Sequence, residues 1–382
     1  MVLKVSRRSA ISPFIALDVL RHANARAAAG GDVLHLEIGQ PSTPAPRPVL
    51  EAARRALDGQ GLGYTEALGI PELRRRIAEH YRERYGVAIG PHRVAVSTGS
   101  SGAFLLAFLA AFDAGDRVAL AAPGYPAYRN ILASLGIQPI DLPARAEDRF
   151  QPTVELIEGL GHPIDGLIVA SPSNPTGTLL SRDELARLCA YCRDRGIRIV
   201  SDEIYHGITY ERDPVTALAF GDDPVVVNSF SKYFSMTGWR LGWMVLPEEL
   251  VRPVECLAQS FYISPPTLSQ LGALAVFECR EELDRNVARY RRNRDLLVRR
   301  LPEAGIARFA PPEGAFYLYA DVADLTNDSE DFCRTLLAET GVALTPGTDF
   351  DRARGHAFVR ISFAGAEADI AAALDRLAAR RR

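Results

Sequence analysis

The sequence predicts an α/β fold, a mostly parallel sheet covered by helices on both faces, followed by a smaller α+β unit. Three observations predict it. From about residue 93 to residue 246, short apolar runs rich in β-branched residues, such as Val225-Val226-Val227, alternate with helical patterns. Strands that are apolar on both faces belong in a sheet buried between helix layers. Past about residue 285 the alternation stops, and a long arginine-rich helix leads into a short run of strands and helices.

The elements follow in order. Residues 1–12 read as an irregular arm, and Pro13 to Ala29 as a helix stopped by Gly30-Gly31. Val33 to Ile38 alternates like a short strand, and Gly39-Gln40-Pro41-Ser42-Thr43-Pro44 is a loop stiffened by proline. Pro48 to Leu57 is helical, Gly59 to Gly69 is a glycine-rich stretch around Tyr64, and Pro71 opens a helix through Tyr85. Strands are expected at 93–97, 116–121, 165–170, 197–201, 225–229 and 241–246, and helices at 101–112, 125–135 and 181–195. The last of these helices carries a capping box, Ser181 with Glu184, and a Gly196 stop. The smaller unit has a helix at 286–301, strands at 316–320 and 358–363, and helices at 329–340 and 367–381. The expected division is an arm at 1–12, a small α+β domain from 13–46 with 285–382, and a large domain from 47–284.

Composition narrows the function classes. The 382 residues are 47% hydrophobic and 24% charged, as in ordinary globular proteins, and suffice for two or three domains. A net charge of −3 argues against nucleic acid or an acidic membrane as partner. The clusters Arg74-Arg75-Arg76, Arg291-Arg292 and Arg380-Arg381-Arg382 fall in helical stretches and read as solvated faces. Cys189 and Cys192 form a CxxC inside a helix with no second pair, so no metal site is expected. No apolar run is long enough to span a bilayer, the start lacks a signal-peptide core, and the expected compartment is the cytoplasm.

Asn228 to Trp243, NSFSKYFSMTGWRLGW, carries the chemistry. Lys232 emerges just past the Val225–Val227 strand, and ligands of open α/β sheets bind at that edge. Desolvation and a nearby cation such as Arg240 favour a neutral amine able to condense with an aldehyde. Arg240 and the neighbouring serine hydroxyls could equally hold a phosphate. An amine for an aldehyde beside an arginine for a phosphate suggests pyridoxal phosphate.

Four other strand ends carry residues that suit such a ligand. Gly99, Ser100 and Ser101 open a helix, where free N–H groups form an anion cup. Tyr125, in Pro123-Gly124-Tyr125-Pro126, could stack on a flat ring. Asn174, held extended by Pro175, could donate its amide to a ring oxygen. Asp202 would be partly buried and could pair with a pyridinium, making the ring an electron sink, with Tyr205 beside the phenolic oxygen. Taken singly, each has an ordinary alternative: a glycine in a βα turn, a core tyrosine, an Asn-Pro turn, a helix cap. Together they ask for coincidence at five strand ends of one sheet.

S-F-S-K-x-x-S-M-x-G-x-R-L-G resembles the cofactor-attachment signature of the class I/II aminotransferases, pyridoxal-phosphate enzymes of fold type I. GYPAY, NPTG, SDEIY, GYTEALGIPELR, APPEGAFYLY and FVRISFA extend the similarity over essentially the whole chain. The resemblance implies a seven-stranded large-domain sheet and a transaminase moving an amino group from an L-amino acid to a 2-oxo acid by a ping-pong mechanism. It implies Lys232 as the attachment lysine that also moves the α-proton. Asn174 and Tyr205 would lie on the phenolic oxygen and Asp202 on the pyridine nitrogen. Ser229, Arg240 and the Gly99 turn would hold the phosphate, Tyr125 would stack on the ring, and Arg360 and Gly39 would hold the substrate carboxylate. Tyr64 would reach the phosphate of a neighbouring subunit, implying a homodimer with shared sites. A C–S lyase of the same fold is the rival reading, separated by whether ammonia leaves without an oxo-acid acceptor. An aminotransferase-like regulatory protein is a third, disfavoured by an arm too short for a helix-turn-helix. No second arginine for a dicarboxylic substrate is identifiable, and Phe14, Phe261, Tyr262 and Phe316 are candidates for a neutral or aromatic side-chain pocket.

Overall fold

A computed structural model describes residues 3–59 and 61–381. The first two residues of the expected arm, Gln60 of the glycine-rich stretch and Arg382 of the last basic cluster lie outside the described residues. In the first half of the chain the elements are α1 (Ile15–Ala28), β1 (Leu34–His35), α2 (Arg47–Gly59), α3 (Pro71–Tyr85), β2 (Val94–Ser97), α4 (Gly99–Ala111), β3 (Arg117–Ala121), α5 (Pro126–Leu135), β4 (Gln138–Leu142), α6 (Val154–Glu158), β5 (Gly166–Ala170) and α7 (Arg182–Asp194). Then come β6 (Arg198–Asp202), β7 (Val225–Ser229), β8 (Gly242–Val245), α8 (Glu248–Phe261), α9 (Thr267–Ala273), α10 (Arg280–Arg300), β9 (Arg308–Phe309), β10 (Tyr317–Asp321), α11 (Ser329–Thr340), β11 (Val342–Ala343), β12 (Thr345–Pro346), β13 (Phe358–Ser362) and α12 (Glu367–Arg381).

Local chemistry sets several boundaries. Pro71 starts α3 and Gly86, in the left-handed region, ends it. Ser181 and Glu184 form the reciprocal capping box expected for α7. The helix expected at 101–112 begins two residues earlier, at Gly99, so the Gly-Ser-Ser run is its first turn.

Seven strands form the central sheet in the order β2-β8-β7-β6-β5-β3-β4. β8 runs antiparallel to both its neighbours, and the pairs β7·β6, β6·β5, β5·β3 and β3·β4 are parallel. Alternation along β7 sends Val226 into one apolar cluster and Val225 with Val227 into another, so both faces of the sheet are covered. The C-terminal unit has a four-stranded sheet, β12-β13-β10-β9, over a core that includes Phe316, Leu318, Ile361, Phe363 and Leu377.

The N-terminal segment joins that unit. β1 pairs parallel with β11, and the Ile15 and Ala16 amides donate to the Asp349 carboxylate at 3.0 and 3.3 Å. The chain between β1 and α2 therefore crosses the ends of β5, β6 and β7, where the two units meet. Among the described residues, no helix is long and apolar enough to cross a membrane.

Candidate active site

A cavity of about 400 Å³ opens at this junction, lined among others by Phe14, Gly39, Ser100, Tyr125, Asn174, Asp202, Tyr205, Lys232, Arg240 and Arg360. A larger one, about 830 Å³, lies between α1, α5, α11 and residues 346–352, and no lysine lines it. The reactive groups converge on the smaller cavity.

Lys232 Nζ donates to the Gly39 carbonyl at 2.6 Å and stands 5.9 Å from the ring centres of Tyr205 and Phe316. Burial, then the positive charges of Arg360 and Arg240, push its pKa down to about 8, with Asp202 opposing. About a tenth of the amine is then neutral at pH 7, far more than for an ordinary lysine, as a nucleophile or base requires.

Asp202, the last residue of β6, is 4% exposed. Its Oδ2 accepts from the Tyr128 hydroxyl and its Oδ1 from the Ile204 amide at 3.0 Å. Burial raises its pKa to about 6, although both hydrogen bonds pull the other way. A buried carboxylate poised this way gains from a cationic partner in the cavity. The sequence assigns no role to Tyr128, the last residue of GYPAY, yet it sits three residues after Tyr125 in the first turn of α5. That spacing brings both residues to one side of a helix.

Asn174 is buried; its Oδ1 accepts from Arg360 Nη1 at 3.0 Å, which leaves its NH₂ as a donor. The Tyr205 and Tyr317 hydroxyls are 2.8 Å apart. Tyr317, which APPEGAFYLY contains but to which the sequence assigns no role, is one residue past Phe316, and strand alternation turns it to the cavity side. Tyr125 lines the wall, with its ring 5.9 Å from that of Phe14.

At the anion end, the first turn of α4 presents Ser100 and Ser101 to the cavity beside Arg240. Gly99 has φ +77°, and a Cβ there would lie 2.6 Å from Arg240 Nη2, so only glycine lets this guanidinium approach the helix start. Ser229 stands behind the wall rather than on it. Its Oγ is buried, accepts from the Ser231 amide at 3.1 Å and lies 3.2 Å from the Leu241 carbonyl. Ser231 is the serine that faces the cavity.

Arg360 comes from β13, 5% exposed. Besides Asn174 it donates to the Glu37 carbonyl at 2.5 Å and to Thr345 Oγ1 at 3.2 Å, while its Nε is buried with no protein partner. An unpaired buried N–H of a cation lining a cavity suits a carboxylate ligand. Gly39 lines the same cavity, and a Cβ there would fall 1.6 Å from the Tyr317 hydroxyl oxygen, so this contact alone requires glycine.

Tyr64, expected at the phosphate of a neighbouring subunit, is 82% exposed and does not line the cavity of its own chain. Of the four aromatic residues proposed for a side-chain pocket, only Phe14 lines it. Phe261 ends α8 half exposed, Tyr262 follows it, and Phe316 is fully buried beneath Lys232. The apolar wall is instead Phe14, Leu17 and Ile38, from α1 and the segment after β1.

Comparison with known proteins fits this geometry. The family model "Aminotransferase class I and II" matches residues 31–377. A valine–pyruvate aminotransferase of Mycobacterium tuberculosis is 52% identical over 378 residues, covering 98% of this chain and 97% of that protein. The crystal structure of an aminotransferase from the same organism superposes with a TM-score of 0.97 at 51% identity, covering 99% of each chain. Thermus thermophilus aspartate aminotransferase with maleate superposes with a TM-score of 0.93 at 32% identity, covering 99% of this chain and 100% of that one. With that fold, that junction cavity and those relatives, the chain belongs to the class I and II aminotransferases, fold type I transaminases that move an amino group between an amino acid and a 2-oxo acid.

Proposed function

We propose that the chain binds pyridoxal phosphate through Lys232 Nζ and transaminates a neutral amino acid with an apolar side chain, in two half-reactions. The observation that carries the substrate class is the charge of the cavity wall. Its cations are Lys232, Arg240 and Arg360, and its remaining wall toward α1 is apolar. With Lys232 and Arg240 on the cofactor and Arg360 on the α-carboxylate, the wall that this chain's described residues offer to a substrate side chain is Phe14, Leu17 and Ile38, which suits an apolar group better than a carboxylate. The name of the 52% identical relative, a valine–pyruvate aminotransferase, supports the same class.

The residues present fit that cofactor. Ser100, Ser101 and Arg240, with Ser231 in front of Ser229, suit its phosphate, and Tyr125 suits the face of its ring. Asp202, buried and held by Tyr128, suits the ring nitrogen, and Asn174 with Tyr205 suits the phenolic oxygen. When bound, the protonated ring supplies an electron sink. Lys232 Nζ, neutral in part near pH 7, can take the substrate α-proton and give it back two atoms along, on the far side of the substrate nitrogen. Arg360 orients the substrate through its carboxylate with the Nε left open by the protein. Gly39 lends backbone at the same end.

The same reading makes the protein a homodimer, in which Tyr64, exposed in one chain, reaches the phosphate end of the partner's site. We further propose the division of the chain at 12, 46 and 284, the last boundary falling within the first turns of α10. Its five free cysteines suit the reducing cytoplasm.

The test is a panel assay. The purified protein is loaded with pyridoxal phosphate, and the visible band is followed as each amino acid is added alone. Valine, leucine and alanine should bleach it and pyruvate should restore it. Bleaching by aspartate and glutamate only would overturn the substrate class.

A further inference from the structure

Tyr317 touches three parts of the site at once. The Arg360 guanidinium carbon lies 4.5 Å from the centre of its ring and 4.8 Å from that of Phe350, so the cation is flanked by two aromatic rings. Its hydroxyl is 2.8 Å from that of Tyr205 and 3.4 Å from the Gly39 carbonyl. Lys232 already bonds that carbonyl at 2.6 Å.

Counting protons shows what the hydroxyl can do. Tyr205 and Tyr317 have one proton each. With no acceptor in the cavity, Tyr205 donates to Tyr317, and Tyr317 donates to Gly39 over the long contact. An acceptor placed beside Tyr205 reverses the order. Tyr317 then gives up its 3.4 Å bond, which is long for a hydrogen bond and costs little to lose, and donates to Tyr205. Tyr205 directs its only proton into the cavity. A hydroxyl that accepts one hydrogen bond is a stronger donor of its own.

We infer that Tyr317 is a positioning residue with two separable roles: its ring holds the Arg360 fork flat for a carboxylate, and its hydroxyl turns the Tyr205 proton toward the ligand. This rests on the proposed placement of Tyr205 and Arg360 around cofactor and substrate.

Two variants separate the roles. Tyr317→Phe keeps the ring and removes the hydroxyl. Tyr205 becomes a weaker donor, more negative charge stays on the cofactor oxygen, and the neighbouring proton is held more tightly. The pH midpoint of the visible band should rise by roughly 0.4–1 unit. Affinity for isovalerate, an unreactive carboxylate measured by calorimetry on the loaded protein, should stay within about twofold. Tyr317→Leu removes the ring, and isovalerate should bind about 3- to 30-fold more weakly. A Tyr317→Phe midpoint within about 0.1 unit of wild type overturns the hydroxyl role. Equal loss of isovalerate affinity in both variants overturns the ring role. Circular dichroism and melting of each variant guard against misfolding, and should Tyr317→Leu unfold, Tyr317→Met, which also removes the ring, takes its place with the same expected loss. A wild-type protein that takes up no aldehyde defeats the underlying functional reading, whereas a coloured wild type with unchanged variants defeats this inference alone.

Discussion

Replacing Arg360 tests the carboxylate grip and the lysine's electrostatics together. The guanidinium makes contacts to Asn174 Oδ1 at 3.0 Å, the Glu37 carbonyl at 2.5 Å and Thr345 Oγ1 at 3.2 Å, and it leaves Nε open. A lysine keeps the charge but offers a single nitrogen, which cannot hold these partners and grip a carboxylate bidentately. Losing one charge-assisted bond to substrate, about 1.5–3 kcal/mol, predicts a fall in kcat/KM of about 10- to 150-fold for Arg360→Lys. Arg360→Gln removes the charge as well. Because that charge helps push Lys232 down to about 8, the Lys232 pKa must then rise. Steady-state kinetics across pH should show Arg360→Lys weakened with its profile in place, and Arg360→Gln weaker still with the lysine limb moved to higher pH. Arg360→Lys within about threefold of wild type, or Arg360→Gln with an unmoved profile, would refute the reasoning.

Three further predictions concern the same wall. The folded pKa of Lys232 lies below its unfolded value, so the unfolded chain binds more protons between about pH 8 and 10, and cofactor-free protein should gain stability as pH rises through that window. Below pH 8 the strain is fully present, and Lys232→Met should raise stability there by up to about 3 kcal/mol in urea melts, whereas a destabilised variant contradicts the buried-amine picture. Removing the Tyr128 hydroxyl with Tyr128→Phe takes away a bond that lowers the Asp202 pKa, so that pKa should climb above about 6 and the acid limb of the pH–rate profile should shift upward with it. Gly39→Ala should lose most activity because the new methyl collides with the Tyr317 hydroxyl, and Gly39→Ala combined with Tyr317→Leu should be no worse than Tyr317→Leu alone in thermal melts.

The sequence made the sheet legible where patterning was strong. Val225-Val226-Val227 is apolar on both faces and was readable as a central strand, and the Ser181–Glu184 box marked Ser181 as the N-cap of α7. β4, Gln-Pro-Ile-Asp-Leu, was not readable, because an edge strand tolerates proline and polar residues that look like loop. α8 and α9 were missed, and their prolines obscure them: Pro253 lies inside α8, while Pro265 and Pro266 precede α9. Among site residues, Lys232, Asp202, Asn174, Tyr205, Arg240 and Arg360 all reach one cavity, because each follows a strand end or lies on a strand at the junction. Tyr128 and Tyr317 lie inside GYPAY and APPEGAFYLY, but those motifs do not say which of their aromatic residues faces the cavity; helix and strand periodicity around Tyr125 and Phe316 carries that signal. The side-chain pocket was misread for a different reason. Aromatic content cannot say which end of a helix faces a site, and α8 ends with Phe261 toward solvent.

The most direct measurement is to load the protein with pyridoxal phosphate, reduce it with borohydride, digest it and locate the adduct by mass spectrometry. The account predicts a single modified peptide carrying the cofactor on Lys232, and none in Lys232→Ala. An adduct on another lysine, or an unmodified Lys232 in a protein that still transaminates, would contradict it.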